Sequence, residues 1–227
     1  MQSCFDSGAD KSVPAGLDSP QDQTVPIKPG RLEGFFVRPR AAAFERARVE
    51  RFIERGYLDR FGALITDHYP SILSLENTRG KVLAAVGIRG AGEEALFLEH
   101  YLDEPIEHAI ARVTGDAPLR TQILEIGNLA SVGRGATTRL IAAAAGHLDA
   151  SGCRYAVVTA TDELRKLLRS FGLTWHTLAD ARADRLADRG RSWGRYYERN
   201  PQILAGEIKQ SPDRMQFYSP VAKMELI

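Results

Sequence analysis

The sequence contains few cysteines and has no long apolar run. Its 227 residues include two cysteines, Cys4 in a polar N-terminal stretch and Cys153 beside a predicted strand. Two thiols in such different settings exclude a disulfide framework and a cysteine zinc site. No stretch of about 18 apolar residues is present to span a bilayer, and the first residues lack the apolar centre of a secretory signal. We therefore expect a cytoplasmic protein with no membrane span.

An excess of one charge sign is also missing. Thirty basic and twenty-nine acidic side chains leave a formal charge of +1, which argues against a nucleic-acid partner. Residues 1–32 are rich in Ser, Asp, Gln, Pro and Gly and are predicted to form a flexible N-terminal arm. The remaining residues, 33–227, are long enough and apolar enough to bury a core, and we expect them to form a single domain.

Strand and helix patterns alternate after the arm. The stretch GFFVRP predicts a first strand, and residues 41–62 predict an amphipathic helix with Phe44, Val49, Phe52 and Ile53 on its apolar face. Two β-type runs around an Asn-Thr-Arg-Gly turn predict a hairpin over residues 71–90. Further along, RYAVVTAT predicts a strand and DELRKLLRSFGL a helix. Together these patterns predict a mixed α/β (α+β) fold.

The stretch TQILEIGNLASVGRGATTRLIAAAAGHL, residues 121–148, combines a strand, a glycine turn and a helix. Gly133 and Gly135 allow close backbone approach, and the first N–H groups of the helix attract an anion. Arg134 and Arg139 could add charge-assisted hydrogen bonds to phosphate oxygens. An ordinary tight turn between a strand and a helix would also contain glycine, so both interpretations stay open.

This order of elements resembles the carrier-binding half of the GNAT acyltransferase fold. The resemblance implies a mixed central sheet with splayed fourth and fifth strands and helices on both faces. It also implies that the glycine loop binds the pyrophosphate of coenzyme A or the phosphate of a phosphopantetheine arm. The family's loop signature falls on residues 132–137, where Gly135 matches and Val132 and Thr137 depart. An acyl-CoA and an acyl carrier protein therefore both remain candidate donors.

The resemblance assigns the donor site to residues around this loop. They are Leu129, Ala130, Gly133, Arg134, Gly135, Ala136, Thr137, Thr138 and Arg139.

Residues 80–205 are similar to the bacterial family named thermostable hemolysin, which looks related to acyl-homoserine lactone and N-acyl amino acid synthases. This implies transfer of an acyl group from an acyl carrier protein or CoA thioester to a small amine or amino acid, without a tightly bound cofactor. In those synthases the fourth strand carries a glutamate followed closely by Ser-Arg. Here Glu125 matches, while Gly127 and Asn128 stand where serine and arginine would be.

Glu125 and Asn128 are the predicted catalytic residues. A carboxylate inside an apolar strand has a raised proton affinity or a cationic partner, so Glu125 is a candidate base for the acceptor amine. A structural glutamate paired with an arginine is the equal alternative. Gly127 indicates a bulge or a close backbone approach. Asn128 either orients a substrate or satisfies that bulge.

Glu99 and Tyr101, in the stretch FLEHYLDE, are the candidates for binding the acceptor amine, although acidic clusters are more often solvated. His108 and His147 have no metal-ligand spacing, so no metal site is predicted.

Three functions remain open on the sequence. The first is the acyltransferase, and the second is a non-catalytic module that keeps the fold and binds an acyl carrier or a partner. The third is a membrane-active hemolysin, which requires an amphipathic segment and an export signal that the sequence does not display.

Overall fold

Eight strands and four α-helices make up the part of the chain that the computed structural model describes, which is residues 30–32, 35–39, 43–171 and 174–208. The strands are β1 (Gly30–Leu32), β2 (Phe35–Pro39), β3 (Ser71–Asn77), β4 (Val82–Gly90), β5 (Ile123–Ser131), β6 (Tyr155–Ala160), β7 (Trp175–Asp180) and β8 (Gln202–Glu207). The α-helices are α1 (Ala43–Phe61), α2 (Ile106–Thr114), α3 (Arg134–Ala150) and α4 (Asp162–Ser170). A 3-10 helix, Phe97–Tyr101, lies between β4 and α2.

The strands form one mixed sheet in the order β1-β2-β3-β4-β5-β6-β8-β7. Neighbouring strands are antiparallel except for β5 and β6, which are parallel. Helix α3 connects that parallel pair, because a chain that must repeat the same strand direction needs a crossover. The mixed α/β class predicted from the sequence is confirmed.

The sheet splits between β5 and β6. The two strands pair with each other from Ile123 and Tyr155 to Ile126 and Val158. Both strands continue beyond that last pair, but there they no longer pair with each other. The predicted splay of the two central strands is therefore confirmed, with β5 and β6 as the fourth and fifth strands of the GNAT pattern.

A bulge in β5 lies beside this split. The register between β4 and β5 shifts there, so that Asn128 and Leu129 together lie opposite Val86. Asn128 has φ 50°, a left-handed conformation that asparagine tolerates better than most residues. Bulges bend a strand and end its regular pairing, and this one turns β5 away from β6.

Helices cover both faces of the sheet, as predicted. Val49 and Ile53 of α1 are fully buried in a cluster with Ala85 of β4, whereas Leu140 of α3 is fully buried in a cluster with Ala84. Adjacent residues of a strand point to opposite faces. Helices α1 and α3 therefore lie on opposite sides of β4.

Some details differ from the sequence predictions. Phe44 was expected on the apolar face of α1 but is 80% exposed. It precedes Val49 by five residues, which at 3.6 residues per turn places it roughly 140° away around the helix. Trp175 and His176 begin β7, a strand that the sequence patterns do not predict.

The expected N-terminal arm overlaps the sheet. Its last three residues, 30–32, form β1, and residues 1–29 lie outside the described residues. Gly172, the glycine in the predicted helix segment DELRKLLRSFGL, lies outside them too. Within the described ranges, no helix combines the length and the apolar character needed to cross a bilayer.

Candidate active site

A large cleft of about 910 Å³ lies between the sheet and helices α3 and α4, and it reaches through the split to α1. Most of its wall is apolar, because α3, α4 and β6 turn aliphatic side chains towards it. Representative lining residues are Leu140, Ile141, Val158, Leu164, Leu168 and Trp175. A cleft of this size and character suits a flexible chain with an apolar end.

The amino-terminal end of α3 contributes to the wall of this cleft. Gly133 is its N-cap, and the first intrahelical hydrogen bond runs from the Thr137 N–H to the Gly133 carbonyl, 3.1 Å away. The N–H groups of the turn before Thr137 have no acceptor inside the helix. Arg134 is exposed at this end and lines the cleft. Backbone donors and a guanidinium therefore meet where an anion would bind.

The structure brings together five of the nine predicted donor-site residues. The five that line the cleft are Leu129, Ala130, Gly133, Arg134 and Thr137. The other four, Gly135, Ala136, Thr138 and Arg139, lie in the first turns of α3 outside the lining.

A small pocket of about 300 Å³ is centred on the loops that follow α1 and β4 and on the segment 186–193. It meets the large cleft at the split, where six residues line both cavities. The shared residues are Tyr57, Ile126, Gly127, Asn128, Thr159 and Tyr196. The split is therefore a passage through the sheet between a large apolar cleft and a smaller pocket with a larger polar share of its wall.

Glu125 lies behind this passage and lines neither cavity. Its carboxylate is 1% exposed and accepts hydrogen bonds from the Phe97 N–H, at 2.8 Å, and the Leu98 N–H, at 3.0 Å. The Tyr69 hydroxyl is a third donor. Burial raises the pKa of Glu125, and these hydrogen bonds oppose that rise. The prediction that Glu125 is the base stays a prediction, and its contacts favour a positioning role.

The ring of Tyr69 crosses the sheet over two glycines. A Cβ atom on Gly87 would lie 2.6 Å from Tyr69, and a Cβ atom on Gly127 would lie under 3.0 Å from its hydroxyl. The Arg89 guanidinium covers the ring, 4.7 Å from its centroid. Gly127 therefore allows the close approach that the sequence indicated, and the approaching group is Tyr69.

Two buried tyrosines stand at the passage. The Tyr57 hydroxyl interacts with the backbone of Leu129 in the bulge, and the Tyr196 hydroxyl donates to the Thr159 carbonyl at 3.4 Å. Burial raises the pKa of both tyrosines, so both hydroxyls keep their protons near neutral pH. They are hydrogen-bond donors beside the ends of β5 and β6 that no longer pair with each other. Tyr57 follows Ile53 by four residues on the same side of α1, so helical spacing does not distinguish it from a core residue.

Asn128 lines both cavities at the bulge. Its side-chain Nδ2 donates to the Asp67 carbonyl, 2.9 Å away, and the residue is 7% exposed. The amide therefore ties the bulge to the loop after α1, which favours the structural alternative considered for this residue.

The two predicted acceptor-binding residues separate. Tyr101 lines the small pocket, and its hydroxyl lies 2.7 Å from that of Tyr197. Glu99 lines neither cavity, since its carboxylate binds Arg120 at 2.6 and 3.0 Å and accepts the N–H groups of Leu96 and Ile106. Burial raises the pKa of Glu99, but these donors outweigh it and lower the pKa overall.

The small pocket also contains two titratable residues outside the predicted site, His100 from the stretch FLEHYLDE and Asp188. The His100 Nδ1 lies 2.8 Å from the Phe97 carbonyl. Because a carbonyl only accepts, Nδ1 is a donor here, and in the neutral ring Nε2 is the nitrogen with the lone pair. Asp188 lines the pocket, and hydrogen bonds from Ser192 and Gly190 lower its pKa. No cluster of metal-ligand side chains occurs in the described ranges.

The split sheet, the glycine turn and the helix behind it define a GNAT-like acyltransferase fold. A protein of Lactobacillus plantarum assigned as an N-acetyltransferase has this fold, with a TM-score of 0.51, 10% identity and coverage of 78% of this chain and 99% of that chain. The acyl-homoserine lactone synthase LasI superposes with a TM-score of 0.56 at 14% identity, covering 77% and 90% of the two chains. FeeM, an N-acyl amino acid synthase from uncultured soil microbes, gives 0.55 at 15% identity, covering 83% and 96%.

The family of the protein is identified from its sequence. The model of the thermostable hemolysin family matches residues 40–212, and the chain belongs to that family. No curated protein matches the chain in sequence. At identities of 10% to 15%, the likeness to the solved structures concerns the fold.

Proposed function

We propose that the protein is an N-acyltransferase that moves an acyl group from an acyl-CoA or acyl carrier protein thioester to a small amine or amino acid. The passage at the split carries this proposal, because it joins two cavities of different size and polarity through six shared residues. A transfer reaction needs two substrates whose reacting atoms meet at one point. The split supplies that point, with the donor in the large cleft and the acceptor in the small pocket.

The large cleft matches the parts of a thioester donor. The donor's phosphate would lie at the start of α3, near the Arg134 side chain. Its pantetheine arm would follow the facing edges of β5 and β6, where these two strands no longer pair with each other. The acyl chain would enter the apolar part of the cleft, lined by Leu140, Val158 and Trp175. Both the CoA and the carrier protein can present such an arm, and neither donor is a resident cofactor.

The chemistry follows from the groups at the passage. The acceptor nitrogen attacks the thioester carbonyl, the C–S bond breaks, and the carrier leaves as a thiolate. The Tyr57 hydroxyl, which stays protonated because burial raises its pKa, donates to the developing oxyanion. His100 Nε2, directly or through a water, takes the proton that the ammonium releases. After the attack the nitrogen loses its second proton, which passes through water to the departing thiolate, beside the Tyr196 hydroxyl that lines the same passage.

Glu125 is assigned a positioning role. It fixes Tyr69 on one side and the start of the 3-10 helix on the other, through three hydrogen bonds to one carboxylate. That helix carries His100 and Tyr101 into the small pocket. The glutamate thereby connects the bulged strand to the acceptor side without touching substrate.

The test is a product assay by mass spectrometry. Purified protein is incubated with acyl-CoA and acyl carrier protein thioesters of several chain lengths and an amine fraction from a cell extract. Tyr57→Phe should lower kcat about a hundredfold at unchanged donor KM, the loss expected for one oxyanion donor. Tyr155→Phe is the matched control, because its hydroxyl binds Asp116 at 3.0 Å and lines neither cavity.

The outcomes separate the two candidate functions. Product that depends on Tyr57 and not on Tyr155 would support the acyltransferase and identify the donor. Binding of a thioester without turnover in the wild-type protein would reject it in favour of the non-catalytic carrier-binding module. Equal losses in both tyrosine variants would reject the role of Tyr57.

A further inference from the structure

The small pocket has a one-sided charge. Asp67 and Asp188 both line it, and no lysine or arginine is among the described residues of its wall. The Asp188 carboxylate accepts the N–H groups of Gly190 and Ser192, at 2.8 Å each, and these bonds lower its pKa and keep it ionised. The pocket therefore favours a positively charged ligand.

Aromatic rings supply a large part of the remaining wall. Phe97, Tyr101 and Trp193 line the pocket beside the two tyrosines of the passage, and Phe97 and Trp193 have ring centroids 5.4 Å apart. Aromatic faces attract ammonium groups, and they do so more strongly where water is excluded. The rings and the carboxylates thus favour the same ligand charge.

Two guanidinium groups beside the pocket already have partners, and neither belongs to its wall. Arg89 covers the back of Tyr69 and forms ion pairs with Glu94, at 3.0 Å, and with the wall residue Asp67, at 3.5 Å. Arg191 donates through Nε to the backbone carbonyl of Asp188 at 3.1 Å. A carboxylate in the pocket would therefore meet no lysine or arginine in the wall, and it would face Asp188 and the Arg89-paired Asp67.

An acceptor with an α-carboxylate binds less favourably in such a site for two reasons. Its carboxylate loses hydration without gaining an ion pair, and it is repelled by the like charges of the wall. An amine of the same side chain avoids both penalties and keeps the attractive contacts. Burying a carboxylate that gains no partner costs free energy, so the amino acid is the disfavoured ligand of each pair.

We propose that the small pocket selects a small primary amine without a carboxylate and excludes the corresponding amino acid. This inference rests on the proposed acyltransferase function and narrows its acceptor to a decarboxylated amine. A volume of about 300 Å³ restricts the ligand to a small molecule.

Matched pairs of ligands test this selection. Isopentylamine is compared with leucine, tyramine with tyrosine, and 1,5-diaminopentane with lysine, because each pair differs by one carboxylate. Isothermal titration calorimetry on the full chain, without a thioester, measures Kd for each ligand. We expect each amine that fits to bind at least tenfold more tightly than its amino acid.

A designed cation sharpens the test. Leu64 lines the pocket and is 63% exposed, so Leu64→Arg adds a positive charge at the wall without disturbing the core. It should reduce the amine preference at least tenfold. Leu119→Arg is the control, since Leu119 is 67% exposed and lines neither cavity, and the preference should survive there.

Acyl transfer is then measured with the same ligands by mass spectrometry. A preference for amines that Leu64→Arg abolishes supports the inference. If that preference is found but no acylated product forms, the inference about the pocket stands and the proposed acyltransferase activity is rejected. Amino acids that bind as tightly as their amines, or no binding of any amine at 10 mM, overturn the inference. Acylated amino acid in that same experiment would leave the acyltransferase standing.

Discussion

At Gly127 one added methyl group should destabilise the protein substantially. A Cβ atom there would lie less than 3.0 Å from the hydroxyl and ring of Tyr69, closer than real Cβ atoms approach. The backbone of Gly127 is not in the left-handed region, so alanine itself fits the strand. Gly127→Ala must therefore displace Tyr69 and break its hydrogen bond to the buried Glu125.

The size of the effect follows from two losses. Overpacking a filled site costs about 1 to 3 kcal/mol, and a hydrogen bond to a charged buried group contributes about 1.5 to 3 kcal/mol. We expect Gly127→Ala to lower the free energy of unfolding by about 3 to 5 kcal/mol. For a chain of this size, that corresponds to a fall in Tm of roughly 6 to 20 °C.

A double-mutant cycle isolates the cause. Leucine at position 69 ends before the atoms that collide with the new methyl group, so Gly127→Ala in a Tyr69→Leu background should cost less than about 1 kcal/mol. Urea unfolding followed by circular dichroism measures all four proteins. Gly135→Ala, where nothing lies within 4 Å of the added Cβ, serves as the control for a harmless methyl group. An equal cost in both backgrounds would refute the steric argument and place the strain in the backbone.

Three further predictions concern pH and the donor. Burial raises the pKa of Glu125 above its ordinary 4.5, so its ionisation weakens the fold: stability should fall as pH rises from about 4.5 through the folded pKa. In pH-dependent urea unfolding, Glu125→Gln should remove that fall, and an unchanged profile would contradict the assignment. Glu99 has the opposite sign: burial raises its pKa, but Arg120 and two backbone N–H groups lower it overall. The contribution of Glu99 to stability is present above about pH 4.5 and is lost as pH falls. Glu99→Gln should therefore reduce the pH dependence of the free energy of unfolding on the acid side alone. Gly135→Ala should change donor KM less than threefold if the donor phosphate lies at Gly133 and Arg134, because Gly135 lies outside the cleft wall; a tenfold rise would move the phosphate deeper into α3.

The sequence predicted the centre of the fold well because its signals there are local. The strand, the glycine turn and the helix of residues 121–148 carry their own periodicity, and the hairpin of β3 and β4 carries its turn residues. β7 escaped prediction because it is an edge strand in which Leu178 is the one buried residue. A strand with little buried surface shows little alternation.

The donor side of the candidate site was predicted more fully than the acceptor side, of which the sequence singled out Tyr101. Donor-side residues such as Gly133 and Arg134 follow one another in sequence, so a local pattern could reveal them. The acceptor side is assembled from the loop after α1, the 3-10 helix and the segment 186–193. His100 and Asp188 belong to irregular segments whose partners are distant in sequence, and no spacing rule connects them.

The carboxylate inside β5 can now be explained by what it holds together. An ionised group at 1% exposure is tolerated only with donors around it, and Glu125 has two backbone N–H groups and the Tyr69 hydroxyl. Those donors come from the 3-10 helix and from the loop after α1, which also supply His100 and Asp67 to the small pocket. Through these hydrogen bonds the buried Glu125 therefore fixes the geometry of the small pocket's wall. A substitution at Glu125 should consequently alter acceptor KM as well as kcat, whereas loss of a true base would lower kcat alone.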